Sequence, residues 1–315
     1  MVIQPTPLQE CGRIGAGLGV HLLMKRDDLL PIAGGGSKLR KVLRILRMAD
    51  RPFDALVTTG GTQSNHARVV AILAAQNGWR CRLVLHGDPN EAASPSGNLL
   101  LMLLAGAEVE IVEPDRIAEE MASAVSSLAR AGARPLEIPG GGHSLAGALS
   151  YADAVAEAAE QLQGAVPDFI VHASGTGATQ AGILAGCAAK GWMTRVIGVS
   201  VARRNPRGRS IVCTMKDQAA DAIGVTVGDE RVEFLDEWVG DGYEHASKDV
   251  LATIRSVATT EGIMLDPTYT GKAFLALRDL VQRGVIPSSS RVLFWHTGGL
   301  LNLISSRYAT TGLLP

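Results

Sequence analysis

Short apolar runs alternate with longer segments of helical periodicity along this chain. The apolar runs are rich in Val, Ile and Leu and are bounded by Gly, Pro or polar residues, whereas the longer segments repeat Ala and Leu at helical spacing. This alternation is typical of βα units, which build parallel sheets covered by helices. The predicted strands are Val20–Met24, Ala55–Thr59, Arg80–Leu85, Glu108–Val112, Phe169–Ala173, Val196–Ser200 and Val292–His296. The predicted helices are Ser37–Met48, Ser64–Asn77, Arg116–Ala131, Gly147–Gln163, Ala178–Lys190, Asp249–Thr260 and Gly271–Arg283.

Two of these units, residues 55 to 77 and residues 169 to 190, share one order: an apolar strand, a turn of Gly, Ser and Thr, then a helix. Each turn follows the carboxyl end of a strand, where open α/β sheets bind ligands. Between them lies the triplet Gly140-Gly141-Gly142, which composition alone leaves open as a domain hinge or a flexible loop.

Composition narrows the function. The chain has 315 residues, which favours two domains or one large domain with an insertion. With 46% hydrophobic and 19% charged residues, it is typical of globular proteins. The net charge of −1, without basic runs, gives no reason to expect nucleic acid or an anionic membrane as partner. A small neutral or zwitterionic substrate fits better.

No targeting or metal signal is evident. The N-terminus has no charged region followed by an apolar one, and the longest apolar run, Leu99 to Ala105, is too short to span a bilayer. The four cysteines are scattered without metal-ligand spacing. We therefore expect a cytoplasmic protein with reduced thiols, no metal and no membrane partner.

Lys38 is the first candidate for chemistry. It is one of only seven lysines, and it follows Gly34-Gly35-Gly36-Ser37 at the predicted start of a helix. The positive end of a helix dipole disfavours an ammonium and so favours the reactive amine of a Schiff-base lysine. The alternative is an ordinary solvated lysine. Lys41, one turn further along, is predicted to be a surface residue that faces elsewhere.

Two turns could bind anionic groups. In the turn Thr58 to His66, the backbone at the helix start can hold a carboxylate, while Ser64 and Asn65 can hydrogen-bond or relay protons. The alternative is a helix cap. The turn Ser174-Gly175-Thr176-Gly177-Ala178-Thr179 predicts a phosphate cup. An NADP site is the rival there, with Arg203 and Arg204 on the 2′-phosphate.

Two later stretches place polar side chains at a cleft. Tyr269, in a turn before a helix, either projects its hydroxyl toward a ligand or packs on its ring. Thr297 follows the last predicted strand and could face the same ligand.

In this order, the stretches resemble the tryptophan-synthase-like (fold type II) pyridoxal-phosphate (PLP) enzymes, and within them the D-cysteine desulfhydrases and 1-aminocyclopropane-1-carboxylate (ACC) deaminases. The resemblance covers nearly the whole chain. Its motifs are Pro5-Thr-Pro-Leu8, Lys25-Arg-Asp-Asp28, Gly35-Gly-Ser-Lys-Leu-Arg-Lys41, Gln63-Ser-Asn-His66, Pro95-Ser-Gly-Asn-Leu99, Asp266-Pro-Thr-Tyr-Thr-Gly-Lys272 and His296-Thr-Gly-Gly299.

The resemblance implies an α/β fold of two open, twisted, mostly parallel sheets flanked by helices, with PLP in the cleft between them. It implies a large domain of residues 1–48 and 151–315 and a small domain of residues 49–150. It also implies a homodimer that acts on a small amino acid.

Roles follow from matching positions. The resemblance assigns the Schiff base to Lys38, the phosphate to the cup Ser174 to Thr179, and the position facing the pyridine nitrogen to Thr297. It assigns catalysis to Lys38, Ser64, Tyr243 and Tyr269, and cofactor binding to Asn65 as well. It assigns substrate binding to Ser64, Asn65, His66 and Thr270.

The chain also departs from the family pattern. Ser37 replaces the usual Asn before the lysine, Thr176 and Ala178 replace Ser and Gly in the cup, and the surroundings of Tyr243 diverge. Thr270 and Thr297 are the desulfhydrase-like pair, which favours β-elimination from D-cysteine or a related amino acid such as cysteate over ACC. A biosynthetic reaction on an unusual amino acid stays open, as does a silent PLP-binding protein.

Overall fold

The computed structural model describes residues 3 to 305. Its strands are β1 (Leu8–Glu10), β2 (His21–Arg26), β3 (Ala55–Gly61), β4 (Arg80–His86), β5 (Glu108–Ile111), β6 (Pro135–Ile138), β7 (Phe169–Ser174), β8 (Arg195–Ser200), β9 (Glu233–Leu235) and β10 (Arg291–His296). Its helices are α1 (Gly12–Leu18), α2 (Lys38–Arg47), α3 (Asn65–Asn77), α4 (Gly97–Leu104), α5 (Ile117–Arg130), α6 (Leu145–Leu162), α7 (Ala178–Ala189), α8 (Arg207–Ile223), α9 (Lys248–Glu261), α10 (Thr270–Gln282) and α11 (Leu300–Leu303).

The strands form two sheets. One has six strands in the order β1-β2-β10-β7-β8-β9, and the other has four in the order β5-β4-β3-β6. Every pairing is parallel except that of β1 with β2. The four-stranded sheet comes entirely from residues 55 to 138, and the six-stranded sheet comes from the chain on both sides of it. The predicted fold of two mostly parallel sheets is confirmed.

Burial explains the apolar strands. All six residues of β7 are buried, because helices cover both faces of the six-stranded sheet. Val171 and Ala173 join the core on one face, and Ile170 joins the core on the other. The four-stranded sheet has its own two cores, one of which contains Leu56.

The seven predicted strands and seven predicted helices all occur, with ends shifted by a few residues. The sequence analysis missed five elements that are either very short or rich in polar residues. Strands β1, β6 and β9 and helix α11 are only three or four residues long, and α8 is rich in polar residues. Helices α1 and α4 were also missed. None of the helices described between residues 3 and 305 is long and apolar enough to cross a membrane.

Candidate active site

A pocket lies where the carboxyl ends of β7 and β10 meet the first turns of α2, α3 and α7. The pocket and its open mouth together span about 490 Å³ of space, part of which is solvent. It is lined by Gly36, Ser37, Lys38, Lys41, Asn65, Ala173, Gly175, Thr176, Gly177, Thr179, Tyr269, Thr297 and Gly298. The structure therefore brings together predicted residues from five separate stretches of the chain.

Lys38 is the first residue of α2 and projects into this pocket. The glycines before it are needed for the turn, because a Cβ on Gly35 would lie 1.7 Å from the carbonyl oxygen of Asp28. The Nζ atom of Lys38 lies 3.4 Å from the carbonyl oxygen of Gly141. Burial lowers the pKa of Lys38 to about 8, so much more of its amine is neutral near physiological pH than for an ordinary lysine, although the ammonium still predominates. The neutral amine is the state in which a lysine attacks a carbonyl carbon.

Lys41 was predicted to be a solvated surface residue, and that prediction is wrong. Its side chain is 1% exposed and lines the same pocket as Lys38. Positions three residues apart share one face of a helix, and here that face points inward. Burial, together with the charge of Lys38, lowers the pKa of Lys41 well below its usual value. Its Nζ lies 5.7 Å from the ring centroid of Tyr151.

Lys41 is a buried cationic group suited to an anion. Its side chain runs along Gly142, where an added Cβ would lie 3.0 Å from the Cβ of Lys41. Among the residues of the described range, no acidic side chain forms an ion pair with it. A buried charge without a partner is costly, so an anionic ligand would relieve that cost.

Of the polar residues in the turn after β3, Ser64 and His66 bond within the protein, whereas Asn65 lines the pocket. The Oγ of Ser64 caps α3 by accepting a bond of 3.2 Å from the backbone nitrogen of Ala67. His66 is buried outside the pocket lining, with Nε2 3.0 Å from the Oγ1 of Thr58. Burial, with the charges of Lys38 and Lys41, lowers its pKa to about 3, so its imidazole is neutral at pH 7.

Asn65 lines the pocket and is held by other buried amides. Its Nδ2 donates to the Oδ1 of Asn302 at 2.7 Å, and Asn98 donates to the same oxygen at 3.3 Å. Asn302 in turn donates to the carbonyl oxygen of Gln63 at 3.2 Å. The Oδ1 of Asn65 is buried without a hydrogen-bond partner among the described residues. The sequence analysis missed Asn302, since no local pattern marks it.

The predicted phosphate cup forms the turn between β7 and α7. Gly177 caps α7 with a φ of 95°, a conformation that favours glycine. Thr176 and Thr179 line the pocket, and the Oγ1 of Thr176 is buried without a partner in the described part of the chain. Ser174 and Ala178 lie outside the lining. The Oγ of Ser174 instead donates to the Oε1 of Gln180 at 3.1 Å.

The arginines of the rival NADP site are bonded to the backbone. Arg203 donates to the carbonyl oxygen of Gly175, and Arg204 donates to those of Asp236 and Gly240. Arg203 thereby bonds to the cup at Gly175, whereas Arg204 does not contact it.

The two predicted tyrosines meet at the pocket mouth. The hydroxyls of Tyr243 and Tyr269 are in direct contact, and the ring centroids are 5.7 Å apart in an edge-to-face arrangement. Tyr269 lines the pocket, whereas Tyr243 is 38% exposed and reaches Tyr269 from the surface side. Burial, and next the neighbouring Tyr243, raise the pKa of Tyr269 well above its usual value. Burial also raises the pKa of Tyr243, so both hydroxyls are protonated at neutral pH.

Thr270 and Thr297 have different surroundings. Thr297 lines the pocket, and its carbonyl oxygen accepts a bond of 2.9 Å from the backbone nitrogen of Ser37. Thr270 is fully buried outside the lining, and its Oγ1 donates to the Oδ1 of Asp266 at 2.7 Å. Asp266 also accepts from the backbone nitrogens of residues 268 to 270, and it thereby fixes the turn that carries Tyr269.

Comparison with known proteins identifies the class. Residues 1–298 match the family model described as "Pyridoxal-phosphate dependent enzyme". The chain is 38% identical over 304 residues to a protein of Pyrococcus abyssi named "putative 1-aminocyclopropane-1-carboxylate deaminase", with 94% of this chain and 89% of that protein covered. It is 36% identical over 308 residues to the D-cysteine desulfhydrase of Yersinia enterocolitica, with 95% and 92% covered.

A solved structure supports the same family assignment. The crystal structure of an ACC deaminase homologue matches with a TM-score of 0.87 at 34% identity, over 95% of this chain and 91% of that one. The fold and pocket are those of a PLP-dependent enzyme. The chain belongs to the pyridoxal-phosphate dependent enzyme family, and the resemblance inferred from its motifs is confirmed.

The pocket residues fit the cofactor. Lys38 supplies a primary amine of lowered pKa for the aldehyde, and the turn of Gly175 to Thr179 supplies small residues and a helix start for the phosphate. Two buried oxygens without partners, Oγ1 of Thr176 and Oδ1 of Asn65, lie in residues that line the same space. Unsatisfied buried polar atoms in a native pocket are expected where a ligand completes the hydrogen bonds.

Proposed function

We propose that this protein is a PLP-dependent lyase that eliminates the β-substituent of a small amino acid and releases a 2-oxo acid and ammonia. The observation that carries the proposal is the half-buried Lys38, with its lowered pKa, in one small pocket with a glycine-rich helix start. A carbonyl cofactor with a phosphate tail matches that pairing of groups.

In this proposal Lys38 has two roles. It anchors the cofactor covalently, and once the substrate amine has displaced it, its neutral amine removes the proton from Cα. The cofactor, when bound, supplies the electron sink that stabilises the charge left on Cα. The cup from Ser174 to Thr179 holds the phosphate, and Lys41 adds a positive charge beside it.

The polar turn and the tyrosines act on the substrate. Ser64 and Asn65 orient the substrate carboxylate and the ring oxygen, with His66 behind them. The contacting hydroxyls of Tyr243 and Tyr269 hold or protonate the leaving group at the mouth of the pocket.

Thr297 and Thr270 favour D-cysteine, or a related amino acid such as cysteate, over ACC. Thr297 would be the residue opposite the pyridine nitrogen of the cofactor, and a hydroxyl there would leave that nitrogen largely unprotonated and weaken the electron sink. Elimination of a good leaving group needs that sink least. The relatives carry both names, so ACC ring opening is the second candidate.

A substrate screen tests this function. The purified protein should show a visible-edge absorption band that borohydride removes, and a panel of amino acids of both hands should reveal release of 2-oxo acid and ammonia. Turnover of D-cysteine above ACC is the expected result. A missing band would overturn cofactor binding at Lys38, and a band without turnover of any amino acid would indicate a silent PLP-binding protein.

The remaining expectations concern organisation. We propose that residues 1–48 and 151–315 form the large domain and residues 49–150 the small one, a division supported by the separate origins of the two sheets. We also propose a cytoplasmic homodimer, as the family resemblance implies. Sedimentation at micromolar concentration should give twice the mass of the chain, and a monomer would contradict the proposal.

A further inference from the structure

Lys272 is a buried lysine on α10 that the proposed chemistry does not use. Its side chain is 1% exposed. Its Nζ donates to the carbonyl oxygen of Val239 at 2.8 Å and to that of Gly242 at 2.7 Å, and it lies 3.5 Å from that of Tyr243. A buried ammonium therefore binds three backbone carbonyls within five residues of each other.

Two of those carbonyls, of Gly242 and Tyr243, belong to the segment that carries the Tyr243 side chain, and that of Val239 directly precedes the segment. Between Gly240 and Ser247 the chain forms neither helix nor strand. Arg204 holds its beginning through the carbonyl oxygen of Gly240, and Ser247 ends it by capping α9. Lys272 supplies bonds within this segment, one of them to the residue directly before Tyr243.

Lys272 and Tyr269 lie three residues apart at the start of α10, a spacing that brings side chains onto one face of a helix. Tyr243 is thus tied twice to the same helical turn. Its hydroxyl contacts Tyr269, and the backbone around it contacts Lys272.

The energetics support a specific role for the lysine. Burial lowers the pKa of Lys272 to about 8, which shows that the interior disfavours its charge. An apolar side chain of similar length would fill the space at lower cost. What it could not do is donate hydrogen bonds to the carbonyls of Val239 and Gly242.

We propose that Lys272 is a positioning residue that holds the 240 to 247 segment so that the Tyr243 hydroxyl stays against Tyr269 at the mouth of the pocket. This inference rests on the proposed role of the two tyrosines in handling the leaving group. It assigns to Lys272 an effect on turnover that passes through Tyr243.

A double-mutant cycle on the holoenzyme tests the proposal. Lys272→Met and Tyr243→Phe are each expected to lower kcat/KM by about 10- to 100-fold while the visible absorption band is retained. If Lys272 acts through Tyr243, the double variant should be no slower than Tyr243→Phe alone. Hydrogen exchange of the peptide covering residues 240 to 247 should accelerate in Lys272→Met. Should Lys272→Met not fold, Lys272→Gln, which keeps one shorter donor, serves in the same cycle.

Lys216→Met is the matched control. Lys216, on α8, is also buried and also donates to a backbone carbonyl, that of Val227, and neither residue lines the pocket. We expect its loss to lower Tm without changing kcat/KM. Additive effects of Lys272→Met and Tyr243→Phe, or unchanged exchange of the segment, would overturn the positioning role. An unimpaired Tyr243→Phe enzyme would instead refute the proposed role of the tyrosine itself.

Discussion

Replacing Lys41 by Met separates cofactor binding from folding, because the two should change in opposite directions. Lys41 is a buried cation that lines the pocket and lies beside Lys38. Without cofactor, its charge has only a cost, and a Met of similar length removes that cost. With cofactor, the same charge attracts the phosphate.

The loss of PLP affinity expected for Lys41→Met can be calculated from the hydrogen bond that the variant lacks. A hydrogen bond to a charged group contributes about 1.5 to 3 kcal/mol. That range corresponds to roughly 10- to 150-fold in Kd for PLP. Titration of the apoprotein with PLP, followed by absorbance, measures it. The visible band should persist at saturation, since Lys38 remains.

The apoprotein of Lys41→Met should be more stable than the parent, with Tm rising by roughly 2 °C for each kcal/mol recovered. The pKa of Lys41 is lowered by folding, so the unfolded chain binds more protons and the penalty shrinks as pH rises toward its unfolded value. The gain should therefore be larger at pH 7 than at pH 9. The control is Lys190→Met, at an exposed helix end, where neither Kd nor Tm should change much. A less stable apoprotein with unchanged PLP affinity would refute this reasoning.

Three other outcomes are expected. Lys38→Ala should fold and bind PLP weakly but lose nearly all turnover, and a variant that keeps both turnover and a reducible band would show that the anchor is misassigned. The rate at which apoprotein takes up PLP should rise with pH through about 8 and then level off, because the neutral amine of Lys38 is the nucleophile; a flat profile would contradict this. Asn302→Leu leaves the Nδ2 of Asn65 without its partner and removes one hydrogen bond each from Asn98 and the carbonyl oxygen of Gln63, so unfolding experiments should show a loss of about 1 to 3 kcal/mol, together with weaker substrate binding. Normal stability in that variant would exclude the amide cluster as a structural element.

The turns at the site were predictable because each depends on neighbouring residues. A strand, a glycine-rich turn and a helix start follow one another along the chain at Lys38 and at the Ser174 to Thr179 cup. Their convergence on one pocket also follows, since parallel strands end at the same edge of a sheet.

Other parts of the site depend on contacts across the chain. Asn302 bonds to Asn65 from 237 positions away, and no local pattern reveals that pairing. Lys41 was misjudged for a different reason. From sequence alone, a charged residue on a short helix is predicted to be exposed, because the elements that pack against that face of the helix are not yet known. The spacing of three between Lys38 and Lys41 did, however, indicate that the two side chains share a face.

Gly36 and Gly298 allow two turns at the pocket to lie in direct contact. A Cβ on Gly298 would lie 2.6 Å from the Cα of Gly36, so the turn that bears Lys38 and the turn that bears Thr297 touch through bare backbone. Both turns follow strands of the six-stranded sheet, whereas the turn of Ser64 follows a strand of the other sheet. Arg68 of α3 donates to the carbonyl oxygens of Ala33 and Gly35, so the turn of Lys38 is bonded to elements of both sheets. A side chain at either glycine would push the two touching turns apart and move Lys38 relative to Thr297.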